Sequence, residues 1–130
     1  MNLIPAPLSF EGPAQPAAFG LAADTWLNAG PGAGSAGSWL RSTLGAATGF
    51  PLLPGAPDAP GIELALDPEL AQEEYLLQVE PRLVRLTAGD AAGLFWGAQT
   101  LRQLLGPRAY RRAPLDREDW TVPCGTIRDR

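Results

Sequence analysis

A chain of 130 residues with 45% hydrophobic side chains holds enough material for one domain with one core and is too apolar for global disorder. Its net charge is −4 and its ten basic residues are all Arg, a balance that excludes nucleic acid and anionic membrane as expected partners. It has no histidine and one cysteine, Cys124, so Ser-His and Cys-His nucleophiles, the usual zinc sites and an internal disulfide are excluded as well.

The first basic residue is Arg41, so the start carries no positively charged leader, and no apolar run reaches the ~18 residues of a membrane span. As written, the chain is expected in the cytosol unless a longer parent supplies a signal.

Residues 3–11 read as short extended segments, because Pro5 and Pro7 forbid helix. Two further short strands are expected around Phe19–Leu21 and Thr25–Leu27. Residues 29–38, rich in Gly and Ala, read as a flexible loop. A helix capped by Ser35 or Ser38 should follow, with Ala36, Leu40, Thr43, Leu44 and Ala47 at helical spacing and Gly49 as its stop. Residues 51–61 form a Pro/Gly loop.

Three alternating segments come next. Ile62, Leu64 and Leu66 share one face of a strand, Tyr75, Leu77 and Val79 one face of another, and Val84 and Leu86 one face of a third. Pro81 suits the second position of a type I turn over Glu80–Leu83, joining the last two as a hairpin.

The strongest helix signal is DAAGLFWGAQTLRQLLG, residues 90–106. Asp90 caps its start; Leu94, Ala98, Leu101 and Leu105 form the apolar stripe, with Leu104 beside it; Gly106 and Pro107 close it. Gly97 costs about 1 kcal/mol relative to Ala, which a close backbone approach by a strand would explain. Trp96 falls opposite the stripe, where a two-layer domain should be polar, and so points to a third layer. Trp96, Thr100 and Gln103 are the residues expected at that interface. Short strands at Trp120–Val122 and Thr126–Ile127 complete the reading, and the abrupt end suggests a chain that is cut.

Candidate chemistry is thin. GAGSAG (32–37) fits a dinucleotide-binding pattern, but its low-complexity flanks and the alternating strands that follow favour a plain loop. Asp116, Glu118 and Asp119 cluster beside Trp120 and could serve as a carboxylate pair for glycoside hydrolysis, yet nothing near them would separate their pKa values; Glu73 and Glu74 read likewise as solvated. Cys124 reads as a small buried hydrophobe. Trp26, Trp39, Trp96 and Trp120 could stack on sugars, though tryptophan is more often core or interface. No catalytic, cofactor-binding or metal-binding residue is assigned.

NLIPAP, ATGFPL, EEYLLQVEPRLVRLTAGDAAGLFWGAQTLRQLL and WTVPCGTIRD together resemble the N-terminal domain of bacterial β-N-acetylhexosaminidases of glycoside hydrolase family 20, over Asn2 to Asp129. The hairpin has Pro81 where many relatives carry glycine. The resemblance implies an α+β fold, a mainly antiparallel sheet with two roughly parallel helices on one face, in two layers. It implies a single non-catalytic domain over 1–130 whose helices lie against a catalytic (β/α)8 barrel of the same parent chain, which would cover Trp96. It also implies that the parent cleaves by substrate assistance, with an Asp-Glu pair carried on the barrel, and that glycan is met only through the parent; no cofactor is implied. The alternatives are a carbohydrate-binding module, the N-terminal domain of another glycosidase such as an α-glucuronidase or an O-GlcNAcase-like enzyme, or a free-standing catalyst using Glu118 or Asp119.

Overall fold

The computed structural model describes residues 9–11, 17–55, 58–106 and 120–129. Ten elements follow in order: β1 (Ser9–Glu11), β2 (Ala18–Gly20), β3 (Trp26–Ala29), α1 (Gly34–Thr48), β4 (Gly61–Leu66), β5 (Tyr75–Val79), β6 (Leu83–Ala88), α2 (Ala91–Leu104), β7 (Thr121–Pro123) and β8 (Gly125–Asp129). The fold is α+β. A six-stranded sheet runs β1-β8-β5-β6-β4-β3, and β2 and β7 form a separate two-stranded ribbon.

The expected alternation sets the register. Val79, Val84, Ile62 and Leu27 lie in one cross-strand row, and Ile127, Leu77, Leu86 and Leu64 in the next, all directed to the core. The hairpin between β5 and β6 closes as its turn chemistry requires: Glu80 and Leu83 exchange backbone hydrogen bonds around Pro81 and Arg82. Leu66, expected on the inner face, instead stands at the rim, 36% exposed.

Pairings in the main sheet are antiparallel for β1–β8, β5–β8 and β5–β6 but parallel for β3–β4 and β4–β6. The β3–α1–β4 segment is thus a βαβ crossover, a parallel unit in a region whose alternating strands argued against parallel pairing. Alternation does not exclude it, because only one face of this sheet is covered. β3, β4 and β6 run in one direction, and each helix returns from one of them, α1 from β3 and α2 from β6. The two helices therefore lie side by side on the core face, where Leu40, Leu44 and Ala47 of α1 and Leu94, Ala98 and Leu101 of α2 are buried.

The opposite face carries the charge. Glu63, Arg85, Gln78 and Thr126 follow one another across the strands, with Arg85 and Glu63 3.9 Å apart and half-exposed. Such a pair is well screened and contributes little.

Two local expectations need correction. Residues 29–38 do not form one open loop: Ala29 ends β3, a single turn spans 30–33, and helix begins at Gly34. The N-cap of α1 is Ala33, without a side-chain bond, so neither Ser35 nor Ser38 caps it. Helix entry is set instead by packing, since a Cβ at Gly37 would lie 2.9 Å from that of Ala29. The expected stop does hold: Gly49 takes φ +79° and returns its N–H to the Gly45 carbonyl, as a left-handed helix end requires.

Candidate interaction surface

Helix α2 forms where its ends are satisfied and its inner side can approach the sheet. The Asp90 carboxylate accepts from the Gly93 amide at 2.9 Å, and the Gly106 amide returns to the Gln103 carbonyl. Its inner side holds two stripes rather than one. Leu94, Ala98, Leu101 and Leu105 form the first; Gly93, Gly97 and Thr100 form the second. A Cβ at Gly93 would lie 2.7 Å from the Glu74 carbonyl oxygen, and one at Gly97 would lie 2.3 Å from Leu86 Cδ1. The close approach inferred for Gly97 is therefore real, but side chains of β5 and β6 make it; the backbone contact is at Gly93.

This second stripe decides where the expected interface residues go. Thr100 is 3% exposed, and its hydroxyl lies 2.7 Å from that of Tyr75. It faces the sheet, not the outer layer, because the glycines on its stripe let the helix sink toward β5. Gln103 is partly exposed. Trp96 is 42% exposed, on the solvent side as expected, and donates its indole N–H to Glu73 Oε1 at 3.2 Å.

Trp96 has aromatic neighbours on the same layer. Phe95 is 38% exposed, and its ring centroid lies 5.0 Å from that of Trp39 on α1, tilted by 52°. The Arg102 guanidinium stands over Trp39 at 5.8 Å. The remaining outer positions are small or neutral: Ser35, Ser38, Ser42 and Ala46 on α1, Ala91, Ala92 and Gln99 on α2. In both helices only Arg41 and Arg102 are charged. Arg41 turns inward, donating to the carbonyls of Leu52 and Leu27 at 2.7 and 3.1 Å. A helix face meant for water carries charge; interface cores are depleted of it. This pattern was legible in the sequence, though Trp39 and Phe95 could be joined only once α1 and α2 were side by side.

Among the described residues, the other candidates do not assemble into a reactive centre. Asp116, Glu118 and Asp119 lie outside the described residues. Glu73 and Glu74 separate: Glu73 is exposed, whereas Glu74, expected in solvent, is 6% exposed, accepts from the Ala71 amide at 2.7 Å and stands 3.9 Å from Arg128 Nε. It is buried because it closes the 71–74 turn under α2. Gly32 and Gly37 of GAGSAG are crowded by Leu66 and Ala29, so these glycines make room for strands. Trp26 packs its indole over Gly61 and Gly55 and commits its N–H to the Ala59 carbonyl at 2.7 Å; Trp120 is buried. A cleft of about 320 Å³ beside Trp26 includes Asp24, Leu53 and Asp58. Cys124 is buried as expected, and burial pushes its thiol up, with the Glu80 carboxylate adding to the shift. Among the described residues, no three His, Cys, Asp or Glu side chains could hold a metal ion, and no helix is long and apolar enough to cross a membrane.

The family model described as glycosyl hydrolase family 20, domain 2, matches residues 1–130. Among solved structures, the β-N-acetylhexosaminidase from Streptomyces coelicolor A3(2) is 34% identical with a TM-score of 0.85, and covers 96% of this chain and 25% of its own. A mutant Streptomyces plicatus β-hexosaminidase in complex with its product GlcNAc is 36% identical over 96% of this chain and 25% of its own, with a TM-score of 0.83. An exo-β-N-acetylglucosaminidase from Vibrio harveyi, 24% identical, shares the fold at a TM-score of 0.77, over 97% of this chain and 18% of its own. The chain thus spans about a quarter or less of the length of these relatives. No curated protein sequence matches it.

Proposed function

Since the chain belongs to glycosyl hydrolase family 20 as its domain 2, we propose that it is the non-catalytic accessory domain of a β-N-acetylhexosaminidase-like enzyme, whose helical layer packs on and steadies a catalytic (β/α)8 barrel of the same polypeptide. The observation that carries this reading is the outer face of α1 and α2, nearly free of charge yet presenting Trp96 and Phe95. Covering the exposed part of Trp96 would remove on the order of 100 Å² from water, about 2.5 kcal/mol. A tether raises the effective concentration of the two surfaces, so a modest patch suffices to hold them.

The parent would remove terminal N-acetylhexosamine from glycans or chitin oligosaccharides with retention. The substrate's own acetamido oxygen would attack the anomeric carbon while a barrel acid protonates the leaving oxygen. Residues of this chain take none of these steps; their part is to hold the barrel's shape. Three measurements test the reading. The chain alone should not cleave an aryl β-N-acetylglucosaminide. Its indole signals should not shift with GlcNAc or chitobiose. Full-length parent carrying Trp96→Gln should unfold its N-terminal part independently of the rest. Turnover by the chain, sugar-dependent indole shifts, or a parent that still unfolds as one unit would each overturn it.

A further inference from the structure

Resting on the docking role proposed above, we infer that Glu73 is the positioning residue of this surface, presetting the Trp96 indole for the polypeptide that continues from β8. Glu73 has φ +61°, a conformation that L side chains rarely adopt. Glycine would suit that backbone better. The surroundings impose the conformation on Glu73 from three directions. The Asp90 carboxylate that caps α2 also accepts from the Glu73 amide, at 3.1 Å. The buried Glu74 carboxylate closes the turn on the Ala71 amide, and the Gly89 amide holds the Glu74 carbonyl. The outcome is a carboxylate carried to the outer side of α2, 3.2 Å from the Trp96 Nε1. An indole held at its N–H samples fewer orientations, so less side-chain freedom is left to lose on docking.

The occupant follows from the strand order. β8 lies inside the sheet, between β1 and β5, and its last residue, Asp129, pairs with Tyr75, two positions after Glu73. Arg128 of the same strand stands against Glu74. A polypeptide continuing from β8 therefore leaves the sheet beside the 71–74 turn, at the rim where the indole is held. The relatives are about four times as long as this chain. Apart from the Glu73 carboxylate, the surface offered to that continuation is aromatic and small, which fits a largely apolar face of the same polypeptide.

The test compares full-length parents carrying Glu73→Ala, Glu73→Gly, Glu73→Gln or Trp96→Gln, with limited proteolysis between this domain and the rest of the polypeptide reporting the undocked population. Loss of the anchoring bond should raise cleavage roughly three- to tenfold in Glu73→Ala and Glu73→Gly. Glu73→Gln, which keeps an acceptor oxygen, should stay near the unaltered parent. In the 130-residue chain, Glu73→Gly should raise the unfolding midpoint by relieving the backbone, while solvent exchange of the Trp96 indole N–H quickens. A better-folded domain that docks worse is an outcome that a merely structural glutamate would not produce. Cleavage unchanged in Glu73→Ala and Glu73→Gly but raised in Trp96→Gln overturns the positioning role and leaves the docking reading standing. Cleavage unchanged in Trp96→Gln overturns both.

Discussion

Replacing Gly97 by Ala tests the packing of α2 by the sign of its effect. On an exposed helix this change adds about 1 kcal/mol of stability through helix propensity. Here the new Cβ would sit 2.3 Å from Leu86 Cδ1, 3.1 Å from Leu86 Cδ2 and 3.1 Å from Tyr75 Cδ1. Carbon atoms pack best at about 3.5–4.0 Å, so one methyl must retreat by more than ~1 Å. Leu86 is fully buried and Tyr75 is tied to Thr100, so neither has open space to enter. Overpacking of this kind costs about 1–3 kcal/mol, and a contact this short belongs in the upper half of that range. The net expectation is a loss of about 1–2 kcal/mol. In urea unfolding followed by tryptophan fluorescence, that lowers the midpoint by roughly 1 M at the slopes usual for small proteins. Gly34→Ala is the control: no atom lies within 4 Å of its would-be Cβ, and a gain of about 0.4–1 kcal/mol is expected. If Gly97→Ala matches or exceeds the unaltered chain while keeping its fold, α2 does not lie on β5 and β6 as described.

Leu101→Ala should cost roughly 2–5 kcal/mol by the same assay, because its side chain is fully enclosed between the helices and the sheet. Asp90→Ala should cost about 1–2 kcal/mol and also speed amide exchange at Glu73, since one carboxylate serves both the Gly93 and the Glu73 amides. Burial pushes the Tyr75 phenol above the usual tyrosine range; the Thr100 hydrogen bond opposes the shift and the Asp129 carboxylate adds to it. The folded state therefore holds that proton more tightly than the unfolded chain. The resulting stability is fully present below the ordinary tyrosine pKa of about 10 and is lost as pH rises through the higher folded value. Ultraviolet titration should show one late-ionising tyrosine, absent in Tyr75→Phe.

Residue order alone dictates the local features of this chain. Period-two alternation placed β4, β5 and β6, Pro81 placed their hairpin, Gly49 and Asp90 placed helix ends, and the leucine stripe of α2 placed one side of its buried arc. These signals act over a few residues, where sterics and hydrogen-bond supply decide the outcome without reference to the rest of the chain. The resemblance to family 20 was equally legible, because its motifs are contiguous. Tertiary structure alone decided the parallel pairing of β3, β4 and β6, since alternation reports which face is covered and not which strand lies alongside. It also decided the depth of α2. A helical wheel gives direction but no distance, and only contact with Glu74, Leu86 and Tyr75 shows that Gly93 and Gly97 let the helix sink and carry Thr100 inward. Burial of Glu74, the left-handed Glu73 and the meeting of Trp39 with Phe95 belong to the same class. Each depends on two segments distant in sequence being brought together, and on what that contact leaves for every polar group to bond.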